Sequence, residues 1–511
     1  MDITRAFLDS DSSFLTAEHW QNIGVKHHHG VCVPLSALIS SHSGGIGEYT
    51  DLLEFLNWLS HTGASILQLL PLNDTANDPS PYMGVSGFAL HPIYLNITTL
   101  EGAEKTPQLQ AIVSELRSLN TTKRLLYTRV LELKLTALSL YLDNHLPRIE
   151  QSVEYQRFVH EHDDWLEPYA IFKALKHVNA DRAWWHWENL EPSKTEIRYW
   201  KAIQFLCHRQ LKKVKEHAEQ LGIQIFGDIP ILINKDSADC WHHRDLFDLS
   251  KNVGAPPDMY NDQGQDWGFP LYRWENHKKD HYQWWKSRLK AHESFYHLFR
   301  LDHLVGFFRL WTLPEKRFIP ETAAQWQSLG EEILRAIVPS TTMLPIGEDL
   351  GDVPDLVRSS MQKLGIPGIK VLRWERKWKE HGQFRTPTSF SPESISTLST
   401  HDSSMMRAWW EEEPESSKQM ATDLGLSWQP ILLPETLFSL LELCHRSSSL
   451  FHINPLNEYL SLFEELCPPK REDRINTPGT TSENNWTYRY VPLETIYSHK
   501  ALANRLKMLL L

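Results

Sequence analysis

Four acidic residues stand where short apolar runs end, and their positions suggest a shared chemistry. They are Asp228, Asp302, Glu348 and Asp402. Because the carboxyl ends of parallel strands face one side of an α/β fold, we expect the four side chains to converge there. A single Asp after a strand often caps the following helix. Capping does not readily account for four such positions, two of which lie beside His303 or His401.

Converging carboxylates are what retaining cleavage of a glycosidic bond requires. One acts as nucleophile and a second donates a proton to the leaving oxygen, with about 5 Å between them. A third can bind sugar hydroxyls and stabilise developing positive charge. Arg300 lies two residues before Asp302, so strand alternation puts both on one face, where the cation would keep Asp302 ionised. Glu348 would instead need a raised pKa to hold its proton near neutrality.

Short apolar runs predict the strands that position these acids. The runs lie at 30–35, 65–72, 224–232, 299–304, 342–350, 368–374 and 395–400, with a weaker eighth at 450–456. Amphipathic helical patterns stand between several of them, for example around Leu52, Phe55 and Leu59. Repeated strand-then-helix order with about eight strands predicts an α/β fold, a TIM (β/α)8 barrel with inserted helical subdomains.

Two long intervals interrupt the barrel pattern. Residues 99–220 are too many for one crossover and are rich in helix formers, which predicts a helical insertion. Residues 251–274 are dense in Gly, Pro, Asp and aromatics, which predicts a long ordered loop covering the cleft. We find no linker long enough to separate two domains, so we expect one catalytic domain over 20–511, preceded by an N-terminal extension over 1–19.

The composition excludes several classes of function. The 511 residues carry a net charge of −12 and no basic block interleaved with aromatics, which argues against a nucleic-acid partner. Without a signal-peptide pattern or an apolar run of ~18 residues, we expect a cytoplasmic protein with no membrane partner. Five cysteines without CxxC spacing indicate neither disulfides nor a zinc site. No feature of the sequence indicates an oligomeric state.

The aromatic content and a histidine run each admit two interpretations. Aromatic residues make up 11% of the chain, and such rings pack either in a core or against the faces of sugars. His27, His28 and His29 are adjacent, and adjacent side chains on a strand or loop cannot all reach one ion. We therefore predict no metal site and expect the three rings to be solvated or packed.

Longer segments resemble a known family. Arg300-x-Asp302-His303, the stretch 347–351 and Thr400-His401-Asp402 together resemble the α-glucan-active barrel enzymes. The segments that resemble amylomaltases, the 4-α-glucanotransferases of glycoside hydrolase family 77, are 43–48, 68–72, 80–82, 226–231, 253–258, 476–479 and 485–486. The chain departs from the family pattern in two places: Ser403 follows Asp402 where the family commonly has Asn or Thr, and Asn457-Glu458 stands where Gln-Asp is frequent.

The resemblance implies roles for named residues. Asp302 would be the nucleophile, Glu348 the general acid/base and Asp402 the transition-state stabiliser. The residues implied in substrate binding are Tyr82, Asp228, Trp267, Arg300 and His401. No metal or organic cofactor is implied.

The implied reaction is transfer of α-1,4-glucan segments between maltooligosaccharides or glucans by retaining double displacement, in maltose, maltodextrin or glycogen metabolism. The three carboxylates alone would also serve an α-amylase-like glucan hydrolase, which is the main alternative. A catalytically silent glucan-binding protein is a second alternative, and the intact carboxylates argue against it. Transferase activity therefore depends on the segments around Tyr82, Pro256 and Trp267.

Overall fold

The computed structural model describes residues 14–257, 264–378, 381–470 and 472–510. The middle of the predicted loop 251–274 and the last residue of the segment 253–258 lie outside the described residues. The same holds for residues 1–13 of the predicted N-terminal extension.

Eight parallel strands form the barrel. The strands of the described residues are β1 (His28–Val33), β2 (Ile66–Leu69), β3 (Gln224–Pro230), β4 (Phe247–Ala255), β5 (Gln265–Tyr272), β6 (Leu298–Asp302), β7 (Leu310–Leu313), β8 (Arg317–Ile319), β9 (Leu344–Gly347), β10 (Gly368–Val371), β11 (Arg376–Lys377), β12 (Gln383–Phe384), β13 (Ser394–Thr397) and β14 (Phe451–Pro455). The barrel order is β10-β13-β14-β1-β2-β3-β6-β9. The Gly347 N–H donates to the Pro367 carbonyl at 2.8 Å, which nearly closes the ring between β9 and β10. The predicted TIM barrel is confirmed.

Alternation along the barrel strands separates two apolar cores. Side chains such as Phe226, Leu298 and Ile346 pack together inside the barrel. Neighbours of opposite orientation, such as Leu67 and Ile225, pack in the core beneath the surrounding helices. Burial on both faces explains why these strands are nearly continuous apolar runs in the sequence.

Helices surround the barrel and fill the interval between β2 and β3. The α-helices of the described residues are α1 (Ala17–Ile23), α2 (Asp51–Ser60), α3 (Pro107–Ser118), α4 (Tyr127–Gln151), α5 (Val153–Glu161), α6 (Asp163–Val178), α7 (Lys194–Gln220), α8 (Ala238–His242), α9 (Trp274–Lys279), α10 (Gln283–Glu293), α11 (Ala323–Ile337), α12 (Asp355–Leu364), α13 (Met406–Glu412), α14 (Pro414–Asp423), α15 (Pro434–His445), α16 (Leu456–Leu460), α17 (Leu493–Ser498) and α18 (Lys500–Leu510). None of them is long and apolar enough to cross a membrane. Helix α7 packs on α2 and leads through Gly222, at a φ of 70°, directly into β3. It therefore serves as a crossover helix of the barrel.

The stretch predicted as a cleft-covering loop contains two strands. β4 and β5 pair antiparallel, and β7 and β8 extend them into a sheet of order β5-β4-β7-β8. The prediction of a loop was wrong in this respect. Register shifts between Asp248 and Gly254 interrupt the two-residue alternation by which a strand is recognised in a sequence.

Helix α1 closes the amino-terminal end of the barrel. Trp20 is buried, its ring stacks on Phe451 with centroids 5.4 Å apart, and its indole N–H donates to the Gly365 carbonyl at 2.9 Å. The Thr16 hydroxyl donates to the same carbonyl at 2.7 Å. The described part of the predicted extension is thus packed against the barrel.

Candidate active site

Arg300 joins two strands at the carboxyl-terminal mouth of the barrel. It pairs in register with Asp228 of β3 and precedes Asp302 by two residues, so the three side chains share the inner face. Its guanidinium nitrogens lie 2.7 Å from Asp228 Oδ2 and 2.7 Å from Asp302 Oδ1. Although burial opposes the charge, these carboxylates raise the pKa of Arg300 well above its ordinary value. The cation predicted beside Asp302 is therefore in place.

Tyr82 and His401 extend this network across the mouth. The Tyr82 hydroxyl donates to Asp228 Oδ2 at 2.8 Å and accepts from Arg300 Nη1 at 3.1 Å. His401 Nε2 lies 3.0 Å from the same hydroxyl oxygen and 3.2 Å from Asp402 Oδ2. Since the tyrosine proton is directed at Asp228, His401 Nε2 carries a proton of its own and faces two acceptors.

Glu348 follows β9 and is held by two backbone amides. The His303 N–H donates to Oε2 at 2.9 Å, and the Leu350 N–H donates to Oε1 at 2.8 Å. Burial raises the pKa of Glu348 to about 7, against the attraction of Arg300. The group therefore holds a proton up to neutral pH, as its predicted chemistry requires.

Asp402 lies in the turn after β13 with a partner on each carboxylate oxygen. His401 Nε2 faces Oδ2, and the Asn476 amide donates to Oδ1 at 2.6 Å. Burial opposes ionisation, but His401 and Asn476 together hold the pKa of Asp402 below its usual range. One mouth thus contains a carboxyl group that stays ionised and another that holds a proton.

Ser403 and Glu458, which belong to the two departures from the family pattern, contact the turn that carries Asp402. Ser403 Oγ accepts from the Thr400 N–H at 3.0 Å. Glu458 is buried and accepts from the Met406 N–H at 2.8 Å and from the Ser399 hydroxyl. Both side chains therefore act on the backbone of this turn.

Trp267 approaches the site from the second sheet. It lies on β5, its ring meets the His303 ring edge-on with centroids 5.1 Å apart, and its N–H donates to Gln265 Oε1 at 3.1 Å. Because His303 directly follows Asp302, this contact places β5 beside the carboxylates.

The predicted site residues form one cluster. Direct polar contacts join Tyr82, Asp228, Arg300, Asp302, His401 and Asp402, while Glu348 and Trp267 reach the cluster through His303. The sequence analysis assigned no role to Asn476 or to Trp486, whose ring centroid lies 5.6 Å from that of Tyr82. Both stand in segments that resemble the family, and this was the available signal. The spacing in the sequence gave no indication of the contact between Asn476 and Asp402, because the two residues are 74 positions apart.

A parallel barrel with paired acids and a cation at its carboxyl-terminal mouth has the arrangement that enzymes acting on glycosidic bonds use. Residues 33–494 match the family described as 4-alpha-glucanotransferase, and the chain belongs to this family. A 4-alpha-glucanotransferase of Chlamydia pneumoniae is 40% identical over 503 residues, 95% of each chain. A 4-alpha-glucanotransferase of Synechocystis sp. is 30% identical over 481 residues, 88% of this chain and 91% of the relative. The predicted 4-α-glucanotransferase is confirmed, and the hydrolase alternative is not favoured.

Solved structures of amylomaltases share the fold. The amylomaltase from Streptococcus agalactiae, solved in complex with acarbose, has a TM-score of 0.79 at 22% identity and covers 95% of this chain and 98% of that chain. The amylomaltase from Corynebacterium glutamicum has a TM-score of 0.81 at 21% identity, covering 97% of this chain and 76% of that chain. At 21–22% identity, the similarity to these two structures shows a shared fold and nothing beyond it.

Proposed function

We propose that this chain transfers α-1,4-glucan segments between maltooligosaccharides through a covalent glycosyl intermediate on Asp302. The observation that carries the proposal is that two carboxyl groups at the same mouth of the barrel have different electrostatic surroundings. Glu348 has a pKa raised to about 7 by burial, whereas Asp302 pairs with Arg300 at 2.7 Å. Retaining glycosidic chemistry needs one carboxyl group that gives a proton and one that attacks.

The first step forms the intermediate. Asp302 attacks the anomeric carbon as Glu348 gives its proton to the leaving glycosidic oxygen, so one C–O bond forms while the other breaks. Arg300 holds Oδ1 of Asp302, which leaves Oδ2 for the attack. The His303 and Leu350 amides stabilise the negative charge that appears on Glu348.

The second step returns Asp302 to its free form. The 4-hydroxyl of an acceptor sugar gives its proton to Glu348 and attacks the same carbon, and the two inversions restore the α configuration. We assign Asp402, held as a carboxylate by His401 and Asn476, to sugar hydroxyls and to the positive charge of both transition states.

The remaining residues of the cluster suit substrate recognition. We assign Tyr82, Asp228, Arg300 and His401 to the sugar that becomes attached to Asp302. We assign Trp267 to the acceptor side, where an aromatic surface favours a sugar over water. The acarbose bound by the amylomaltase from Streptococcus agalactiae supports glucan substrates. The five free cysteines fit the cytoplasmic location that we propose for the enzyme.

Product analysis tests the transfer. Maltotriose incubated with the enzyme should give both shorter and longer oligosaccharides, and release of only glucose and maltose would contradict transfer. Asp302→Asn should abolish the products, and the exposed Asp352→Asn provides a matched loss of a carboxylate that should leave them unchanged.

Trapping tests the assigned nucleophile. A glucosyl fluoride with a second fluorine on the sugar ring forms a glycosyl intermediate that is released slowly. Mass spectrometry should then identify the adduct on the peptide that contains Asp302. An adduct on any other residue would overturn the assignment even if transfer is observed.

A further inference from the structure

Three histidines from distant parts of the chain meet outside the barrel, near its amino-terminal end. His29 on β1 pairs in register with His452 on β14, and His445 ends helix α15. One ring nitrogen of each lies within 4.8 Å of one ring nitrogen of both others. His29 shares its strand face with Val31, which packs in the core beneath the helices. The cluster is therefore separate from the catalytic mouth, which lies at the other ends of the strands.

The adjacent histidines of the run 27–29 do not share this position. His27 Nδ1 lies 3.1 Å from the Ser449 carbonyl oxygen, and His28 Nε2 lies 2.9 Å from that of Gly24. The adjacency of these three rings in the sequence predicted no metal site. His445 is 416 residues from His29, so the cluster exists only in the folded chain.

The hydrogen bonds of His445 leave one of its ring nitrogens without a proton. The Tyr459 hydroxyl donates to the Gly30 carbonyl at 3.2 Å and accepts from the Asn454 amide at 3.3 Å. His445 Nε2, 2.8 Å from the same oxygen, is then a donor to it. Nδ1 of the neutral ring is consequently an acceptor, and it accepts from the Nδ1–H of His29 at 2.9 Å, a proton that a bound metal ion would replace.

His452 presents a second lone pair. The residue is fully buried, and its Nε2 lies 3.4 Å from the Ser447 carbonyl, to which only an N–H can donate. Its Nδ1 is buried and has no hydrogen-bond partner within the described residues. Histidines that bind metals show this arrangement, in which one nitrogen donates to a protein oxygen and the other faces the ion.

Packing alone is the competing explanation for the cluster. The His29 and His452 rings stack with centroids 4.7 Å apart, as aromatic rings do in many cores. Packing does not account for a buried nitrogen of His452 without a partner.

We propose that His29, His445 and His452 bind one divalent transition-metal ion of the zinc class. Imidazole nitrogens are preferred ligands of such ions, and three of them leave a fourth position for water. With metal–nitrogen bonds of about 2.0–2.1 Å, tetrahedral ligand nitrogens stand roughly 3.4 Å apart. On binding, the 2.9 Å between His29 and His445 opens by a few tenths of an ångström, and the wider spacings of up to 4.8 Å close. The stacked rings of His29 and His452 turn so that their in-plane lone pairs meet the ion. The ion would link β1 to β14 and to α15. The partly exposed His29 gives the ion a route of entry from solvent.

The test uses the full chain without a histidine tag, stripped of metal and titrated with Zn²⁺. We expect one ion per chain, and an unfolding temperature raised by roughly 2–3 °C at an ion concentration about one hundred times Kd. His29→Gln should weaken binding by about thirtyfold or more. The matched control is His160→Gln, which removes an exposed ring from helix α5, away from the cluster, and should bind like the wild type.

Co²⁺ provides a measurement that does not depend on any variant being folded. In the wild-type chain it should show the strong visible absorption of a tetrahedral nitrogen site. No uptake of either ion, equal binding by His29→Gln and wild type, or loss of binding in His160→Gln would each overturn the proposal. Transfer activity should be the same with and without the ion, because the site lies at the end of the barrel opposite the carboxylates.

Discussion

Replacing Asn476 with alanine tests whether Asp402 works as a carboxylate held by its neighbours. The Asn476 amide donates to Asp402 Oδ1 at 2.6 Å, and alanine removes this donor. A hydrogen bond to a charged group contributes about 1.5–3 kcal/mol. We take the lower value, because the Asp402 side chain is 40% exposed and water can replace part of the bond. At about 1.36 kcal/mol for each factor of ten, kcat/KM should fall roughly tenfold.

The pH profile separates this effect from general damage to the Asn476→Ala variant. Asn476 is one cause of the lowered pKa of Asp402, so its loss should raise that pKa and move the acidic limb of kcat/KM in the direction of higher pH. Initial rates of glucose release from maltotriose at several pH values measure both effects. Asn484→Ala, an exposed change in the same loop, is the control and should alter neither. A fall of less than about twofold with an unmoved acidic limb would refute the reasoning.

Three further substitutions test the other contacts. The pKa of Glu348 is about 7 in the folded chain against an ordinary value of 4.5, so the folded wild type keeps a proton that the unfolded chain releases between these pH values. The stability of the wild type therefore falls as pH rises through this window, and Glu348→Gln should avoid up to roughly 3 kcal/mol of that loss. An equal difference in unfolding temperature between variant and wild type below and above this window would contradict this expectation. Tyr82→Phe removes a hydrogen-bond donor to buried Asp228 and should lower kcat/KM roughly tenfold or more. A variant with the same kcat/KM as the wild type would show that the hydroxyl has no role. Trp267→Ala removes the ring that packs on His303 and should increase hydrolysis relative to transfer of maltotriose, whereas an unchanged product ladder would count against its assignment.

The part of the site that could be predicted depends on local geometry. Arg300 and Asp302 are two residues apart on one strand, and strand alternation is enough to bring them to one face. Asp228 and Glu348 could be recognised as acidic residues within apolar runs, 224–232 and 342–350, that predicted strands. Asn476 could not be found in this way, because its contact with Asp402 is made by a loop that only the completed fold brings back to the mouth.

The fold also has features that local sequence determines and features that depend on contacts between distant parts of the chain. The barrel strands are buried on both faces and stand out as apolar runs, so each could be predicted without knowledge of its neighbours. β4 is stabilised by pairing with β5 and with β7, which lies more distant in the chain, and its register shifts obscure the alternation. Its sequence therefore looks like a loop when it is examined alone.

The donors around each carboxyl group explain why acids of one mouth differ in behaviour. Glu348 receives two neutral amide hydrogens, and burial dominates its pKa. Asp302 contacts a full positive charge on Arg300, and Arg300 is also the main group that opposes the raised pKa of Glu348. Without this cation, Asp302 and Asp228 would face each other unneutralised, and Glu348 would hold its proton more tightly still. The second step needs Glu348 as a base, so Arg300 governs both the attack in the first step and the proton transfer in the second.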